Sequence, residues 1–179
     1  MIVTHRASFP TNLPDGFNTK TVMLFEEVEN AINLVQANEF KTKISKEQTT
    51  FGRLQYCPKS LNKGVGQVLQ TYGWTRLKHS FTYPFGNRGM GYREVDFHKK
   101  RIGVEVQFGK YAYLHWDVRK LEFMLVKSHI DMGLLICPDK DMQREMSSGV
   151  PCFEQVVYDL SELNYQGPLM VWGVTPSRV

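Results

Sequence analysis

The fold is decided by residues 94–111, which read EVDFHKKRIGVEVQFGKY. Within them, residues 104–108 alternate apolar and polar side chains, the period of a β-strand with one polar face. Glu105 and Gln107 share that polar face. A tight turn after Asp96 would return the chain antiparallel, so that Asp96 lies beside Glu105. The segment therefore predicts a hairpin that carries two facing carboxylates and an amide.

Two facing carboxylates are suitable ligands for one Mg²⁺ ion, with water and a phosphate oxygen completing its coordination. Such an ion acidifies a bound water and stabilises charge on a phosphate, and Gln107 is placed to orient that water. Two observations weigh against this interpretation. Alternation of this kind is also typical of any half-exposed strand, and the commonest nuclease pattern has lysine where Gln107 stands. The spacing alone leaves both interpretations open.

The chain has 179 residues, of which 42% are hydrophobic and 22% are charged. These values are ordinary for a globular protein, and we expect a single domain over residues 1–179. No apolar run approaches the roughly 20 residues of a membrane span, and the first residues lack the apolar core of a signal peptide. The composition thus favours a cytoplasmic protein that does not bind membranes.

Positive charge is concentrated between residues 41 and 80, where eight basic residues and one acidic residue give a net charge of +7. Such a segment is either a solvated basic face or a surface that follows a phosphate backbone. On the second interpretation, Lys43 and Lys46 are candidate DNA-binding residues. Charge alone does not choose between the two.

The remaining pattern predicts helices and strands in alternation. A strand, a helix and a strand in succession imply a parallel, right-handed crossover, so we expect an α/β fold with a mixed central sheet and helices on both faces. The apolar stripe of the first helix is interpreted as core rather than as a dimer seam. We expect an irregular N-terminal arm over residues 1–18, helices over 19–37, 60–72, 113–127 and 152–163, a mobile loop over 83–92, and strands over 104–108, 132–137 and 169–174.

Residues 96–97 and 104–111 resemble the type II restriction endonucleases of the BglII/BstYI family. Within that family they are most similar to the BstYI side, that is, to BstYI-like sequences. This family belongs to the wider PD-(D/E)XK nuclease fold, and glutamine replaces its usual lysine, as Gln107 does here. The similarity covers roughly residues 20 to 175. It includes residues 41–62, the stretch KSHIDMG at 127–133 and the stretch EMSSG at 145–149.

The resemblance implies a role for each matching position. Asp96 and Glu105 would bind Mg²⁺, and Gln107 would be the third active-site residue. Lys110 falls where the family places a base-reading residue, and Ser147 and Ser148 fall on a second base-reading loop, with either serine as the contact. Lysine and serine suit this task because lysine donates to guanine and serine serves either base.

A further polar residue of the family site lies upstream of the first acid, and Asn87 is a guess for it. Between Trp74 and Asp96 the chain has fewer residues than BstYI-like sequences have, so this position does not align.

The implied activity is Mg²⁺-dependent hydrolysis of double-stranded DNA at a short palindrome with a GATC core, leaving 5′-phosphates. Two-fold symmetry of such a site favours a homodimer. A companion DNA methyltransferase is expected in the host but not as a bound partner. Two alternatives stay open at this point: a sequence-specific DNA-binding protein that does not cut, and a nicking or methylation-dependent nuclease of the same fold.

Overall fold

The computed structural model describes residues 1–10, 19–84 and 89–177, and the side chains of residues 19 and 20 are not described. Of two 3-10 turns, Ala37–Phe40 precedes a small hairpin and Gln48–Thr50 lies in its connecting loop. The helices are α1 (Thr19–Leu34), α2 (Pro58–Thr71), α3 (Tyr111–Val126), α4 (Lys140–Gln143) and α5 (Phe153–Glu162). The strands are β1 (Ile2–Phe9), β2 (Lys43–Ile44), β3 (Leu54–Gln55), β4 (Thr75–Thr82), β5 (Met90–Lys99), β6 (Ile102–Val106), β7 (Met132–Pro138) and β8 (Leu169–Thr175).

Six of these strands form one sheet, in the order β1-β8-β7-β6-β5-β4. β6, β7 and β8 run parallel, and the other neighbours in this sheet run antiparallel. β2 and β3 form a separate two-stranded hairpin. The parallel step from β6 to β7 passes through α3, as a crossover requires. The predicted α/β class with a mixed central sheet is confirmed.

Helices cover both faces of the sheet. On one face, α1 and α2 bury residues such as Ile32 and Leu61 against Val104. On the other face, α3 and α5 bury residues such as Leu121 and Val156. The apolar stripe of α1 is core, as predicted, and its members Phe25, Val28, Ile32 and Val35 are at most 6% exposed.

The helix boundaries follow local chemistry. α2 begins at Pro58, because a proline at the first helical position gives up only an N–H that has no partner in the helix. Gly73 follows the end of α2 with φ +81°, the left-handed conformation that terminates many helices. No helix in the described part of the chain is long and apolar enough to cross a bilayer.

Two predictions made from the sequence are wrong. Residues 2–9, expected to be irregular, form β1, which pairs antiparallel with β8. Most of its side chains are not buried, so backbone pairing and not an apolar pattern holds it. The loop expected over 83–92 is shorter, because Met90 already begins β5. Residues 11–18 and 85–88, including Asn87, lie outside the described residues.

Two glycines allow α3 to pack close to the sheet. A Cβ at Gly103 would lie 3.2 Å from a methyl carbon of Leu121, and one at Gly133 would lie 3.2 Å from the other. Larger residues would therefore displace Leu121. The close packing matters for function because β6 and α3 both contribute side chains to the site described below.

Leu121→Ala is expected to destabilise the protein by about 2–5 kcal/mol, because it removes a side chain that is fully buried between α3 and the sheet. Urea unfolding followed by circular dichroism measures the loss. Leu163→Ala is the control, since Leu163 is 68% exposed and exposed substitutions change stability by about 0.5 kcal/mol or less. Equal stability of the two variants would contradict this description of the core.

Candidate active site

β5 and β6 form the hairpin that the sequence predicts. Phe97 pairs with Val104 and His98 with Gly103, so the next step of the register brings Asp96 opposite Glu105. The backbone N–H of Val106 donates a hydrogen bond to Asp96 Oδ2 at 3.3 Å. The structure therefore brings the two predicted carboxylates together on adjacent strands.

A β-bulge lies in β5 at this point. Thr75 pairs with His98 and Leu77 with Val95, so an advance of two residues along β4 corresponds to three residues along β5. A bulge inserts one residue and turns the side chains beyond it. Accordingly Val95 and Phe97 pack on opposite faces of the sheet, although residues two apart in a regular strand share one face. The bulge thus lies at Asp96, where it sets the direction of the first carboxylate.

Glu105 is buried on the face of the sheet that carries α3. It lies beside Leu135 in the parallel register, and it is only 1% exposed. Burial raises the pKa of its carboxyl well above the usual range, and the nearby Asp96 and Asp117 add to the rise, while Lys120 opposes it. A cation beside a buried carboxylate stabilises its charged form, so Glu105 is a suitable ligand for one.

Gln107 lies on the same face and is held at both ends of its amide. The backbone N–H of Gly109 donates to Gln107 Oε1 at 2.6 Å, and Gln107 Nε2 donates to Asp117 Oδ2. A Cβ at Gly109 would lie 2.8 Å from Gln107 Oε1, so a larger residue there would displace the amide. An amide nitrogen carries two hydrogens, and one N–H of Gln107 remains for a further acceptor.

Sequence reasoning missed two residues of this cluster, Asp117 and Lys120 on α3. Lys120 Nζ lies 2.7 Å from Glu105 Oε1 and 2.9 Å from Asp117 Oδ1. Burial lowers the pKa of the Lys120 ammonium, but the two carboxylates outweigh that effect and raise it. A signal was present in the sequence: Asp117 lies within the apolar stripe of Leu114, Val118 and Leu121, where a charged residue is out of place.

The donors of this site fit a hard divalent cation. Asp96 and Glu105 supply carboxylate oxygens, which Mg²⁺ prefers, and Glu105 Oε1 is a buried oxygen whose partner is the Lys120 ammonium, 2.7 Å away. Within the described residues, no group of three or more His, Cys, Asp or Glu side chains is arranged to hold a metal ion. An ion held by Asp96 and Glu105 would therefore need water and substrate oxygens as its other ligands, as is usual for Mg²⁺.

Four of the other predicted residues, Lys43, Lys110, Ser147 and Ser148, lie together near the start of α3 with Glu47, which was not predicted. We call this group the Lys110 cluster (Lys43, Glu47, Lys110, Ser147 and Ser148). Lys110 Nζ donates to the backbone carbonyl of Ser148. Glu47 Oε1 accepts from the Ser148 backbone N–H at 2.8 Å and from its hydroxyl at 2.9 Å. The structure thus joins Lys110, which follows the hairpin, to the loop that carries the two serines.

The two serines of the cluster differ in access. Ser147 is 4% exposed; it accepts from Lys43 Nζ and donates to Gln55 Oε1 at 3.4 Å. Ser148 is exposed. Lys46 is also exposed and lies just beyond β2, and its side chain makes no hydrogen bond or ion pair with the cluster in the described residues. The β2–β3 hairpin therefore joins Lys43 to the serine loop by a side-chain contact that Lys46 lacks.

Solved structures of restriction endonuclease BglII share this fold. BglII complexed with a DNA 16-mer matches with a TM-score of 0.66 at 19% identity, over 97% of this chain and 79% of that chain. Free BglII matches with a TM-score of 0.57 at 18% identity, over 87% of this chain and 72% of that chain. At these identities the likeness shows the fold alone. A search of curated proteins finds no match.

The sequence itself matches the profile of the family described as restriction endonuclease BglII/BglIII over residues 16–174. This range includes both carboxylates of the hairpin, the Lys110 cluster and α3. The enzyme class expected from the sequence, a site-specific deoxyribonuclease, is confirmed at the level of the family. The chain belongs to the BglII/BglIII restriction endonuclease family.

Proposed function

We propose that the protein is a Mg²⁺-dependent type II restriction endonuclease that cuts double-stranded DNA at a short palindrome with a GATC core. The observation that carries the proposal is the hairpin: Asp96 and Glu105 face each other on adjacent strands, and Gln107 follows Glu105 on the same face. Membership of the BglII/BglIII family and a fold shared with a DNA-bound BglII support the same activity.

In this proposal Asp96 and Glu105 hold the ion. When bound, Mg²⁺ would supply charge stabilisation at the phosphate and would acidify a water molecule. Glu105 is buried, and the exclusion of bulk water around it strengthens the charge interactions of the centre. The chain's own contribution is therefore a preorganised pair of acids on rigid strands.

Gln107 would use its remaining N–H to orient the attacking water or a phosphate oxygen. Its amide is already fixed by Gly109 and Asp117, so it would act without reorganisation during the reaction. Attack of water on phosphorus with departure of the 3′ oxygen would leave a 5′-phosphate and a 3′-hydroxyl. The residue that makes this family differ from the usual lysine pattern thus has a role compatible with its contacts.

The Lys110 cluster would read bases. Lys110 lies three residues beyond Gln107, so cutting and reading would be joined through one short segment. Between the two serines, Ser148 is the better candidate, because it is exposed whereas Ser147 is buried beside Lys43 and Gln55. Lys43 and Lys46 would contact the phosphate backbone, which supplies affinity without sequence preference.

A homodimer would match the two-fold symmetry of a palindrome, with each subunit cutting one strand. The residues that resemble the BstYI side of the family, at 41–62, 127–133 and 145–149, support a site related to that of BstYI. The dimer has its own test: gel filtration is expected to give twice the subunit mass without DNA, and two subunits per duplex with DNA. A monomer under both conditions would contradict the dimer.

The activity is tested on unmethylated plasmid DNA, with Mg²⁺ or with EDTA. Discrete double-strand fragments are expected with Mg²⁺ only, and Asp96→Ala is expected to abolish them because one of the two carboxylates is gone. Smearing, single-strand nicks or intact plasmid from the wild-type protein would contradict the proposal. Nicks point to a nicking enzyme, and intact plasmid points to a DNA-binding protein or to a methylation-dependent nuclease.

A further inference from the structure

Lys120 is a buried cation at the centre of the proposed site. Its side chain is 14% exposed, and its ammonium lies 2.7 Å from Glu105 Oε1 and 2.9 Å from Asp117 Oδ1. It comes from α3, not from the hairpin, and it reaches Glu105 because Leu121 packs α3 tightly against Gly103 and Gly133. The helix thus adds a positive charge to a site otherwise built of acids.

The contacts form one continuous chain across the site. Lys120 joins Glu105 to Asp117, and Asp117 accepts a hydrogen bond from Gln107. Gln107 in turn accepts from Gly109, one residue before Lys110. A displacement of Lys120 would therefore be transmitted both to Glu105 on β6 and to Gln107 just after it, two residues that the proposed reaction uses.

Fold stability is a poor explanation for this arrangement. Taking a lysine and two carboxylates out of water costs several kcal/mol per ion, so buried ion pairs stabilise little more than apolar residues of similar volume. α3 already has an apolar stripe that buries it against the sheet. Two charges within that stripe are better explained by the site they form.

We propose that Lys120 is a positioning residue of the nuclease centre. It supplies from α3 an ammonium group, whereas Gln107 stands where the commonest nuclease pattern has a lysine. It holds Glu105 directly, and it holds Gln107 through Asp117. This inference rests on the proposed function. The proposed site thereby gains a residue from α3, outside the hairpin.

The test compares the wild-type protein with Lys120→Met, Lys120→Arg and Lys127→Met. Lys120→Met keeps an apolar stem and removes the charge. Lys127→Met is the matched control, because Lys127 is exposed at the end of the same helix. Single-turnover cleavage of plasmid is measured in Mg²⁺, DNA affinity is measured in EDTA, and Ca²⁺ binding without DNA is measured by calorimetry at pH 8.5.

Lys120→Met is expected to slow cleavage by about 100-fold, the effect of a small misplacement of reacting groups, while DNA affinity stays at the wild-type level. Lys120→Arg is expected to cleave at a rate between those of Lys120→Met and the wild-type protein. Lys127→Met, the control, is expected to cleave at the wild-type rate. Ca²⁺ is expected to bind Lys120→Met at least ~3-fold more tightly than wild type, because a cation that competes for Glu105 has gone. A role in folding alone would not tighten cation binding.

A wild-type cleavage rate in Lys120→Met, or a slow rate with unchanged Ca²⁺ affinity, would overturn the inference and leave the proposed function standing. Absence of cutting by the wild-type protein would instead overturn the proposed function, and this inference with it. If Lys120→Met does not fold, Asp117→Asn decides, because it keeps the side-chain shape and breaks the link from Lys120 to Gln107. A slow rate in Asp117→Asn supports the inference, and a wild-type rate contradicts it.

Discussion

Glu105→Gln is expected to reduce the rate of DNA cleavage by about 1000-fold, the upper range for removing one preorganised electrostatic group from an active site. The substitution keeps the shape of the side chain and removes its charge, so a divalent cation would lose one of its two carboxylate ligands. Glu105 is 1% exposed, so bulk water does not compensate for the missing charge. Single-turnover cleavage of plasmid in Mg²⁺ measures the effect.

Two comparisons make the result specific to the site. Glu162→Gln removes the same charge from an exposed position at the end of α5, and it is expected to cleave at the wild-type rate. The affinity of Glu105→Gln for DNA in EDTA is expected to equal that of the wild-type protein, because the loss lies in the chemical step. A Glu105→Gln variant that still cuts at the wild-type rate would place the cutting centre elsewhere.

Lys110→Met is expected to lower sequence discrimination by about 10- to 100-fold, since one bidentate contact to a base contributes roughly 1–3 kcal/mol of discrimination. Lys110 also donates to the carbonyl of Ser148, so its loss would free the serine loop as well. The quantity to measure is the ratio of binding affinities for a cleaved duplex and for a duplex with one base pair changed.

Lys46→Met provides the contrast for this prediction. Lys46 is exposed and makes no side-chain hydrogen bond to the Lys110 cluster in the described residues. If it contacts a phosphate, its loss would weaken binding to all sequences alike and reduce the salt dependence of binding. The affinity ratio is then expected to stay unchanged in Lys46→Met. A falling ratio in Lys46→Met with a constant ratio in Lys110→Met would reverse the proposed roles.

The parts of the fold that the sequence predicts are those with a buried face. β6, β7 and β8 lie in the middle of the sheet, and α1 and α3 cover it, so their apolar residues recur at the period of the element. Within the six-stranded sheet, the two strands absent from the prediction, β1 and β4, are its two edges. The short strands β2 and β3, also absent from the prediction, form the separate hairpin. Most of the side chains of β1 and β4 are not buried, and backbone pairing leaves no mark in the pattern of hydrophobic residues.

The same reasoning separates the predicted and the missed residues of the site. Asp96, Glu105 and Gln107 are close in the chain, and the period of a hairpin suffices to bring them together. Asp117 and Lys120 reach them only through the packing of α3 on the sheet, which depends on Leu121 and the space left by two glycines. The choice between Ser147 and Ser148 likewise needed the burial of each side chain.

The most direct test of the central claim is to sequence the ends of the fragments that the wild-type protein makes from unmethylated DNA in Mg²⁺. If the hairpin acids and the Lys110 cluster act together in a dimer, every end derives from one palindrome with a GATC core and carries a 5′-phosphate. Ends scattered over unrelated sequences, or ends from one strand only, would contradict the account of a symmetric, sequence-specific endonuclease.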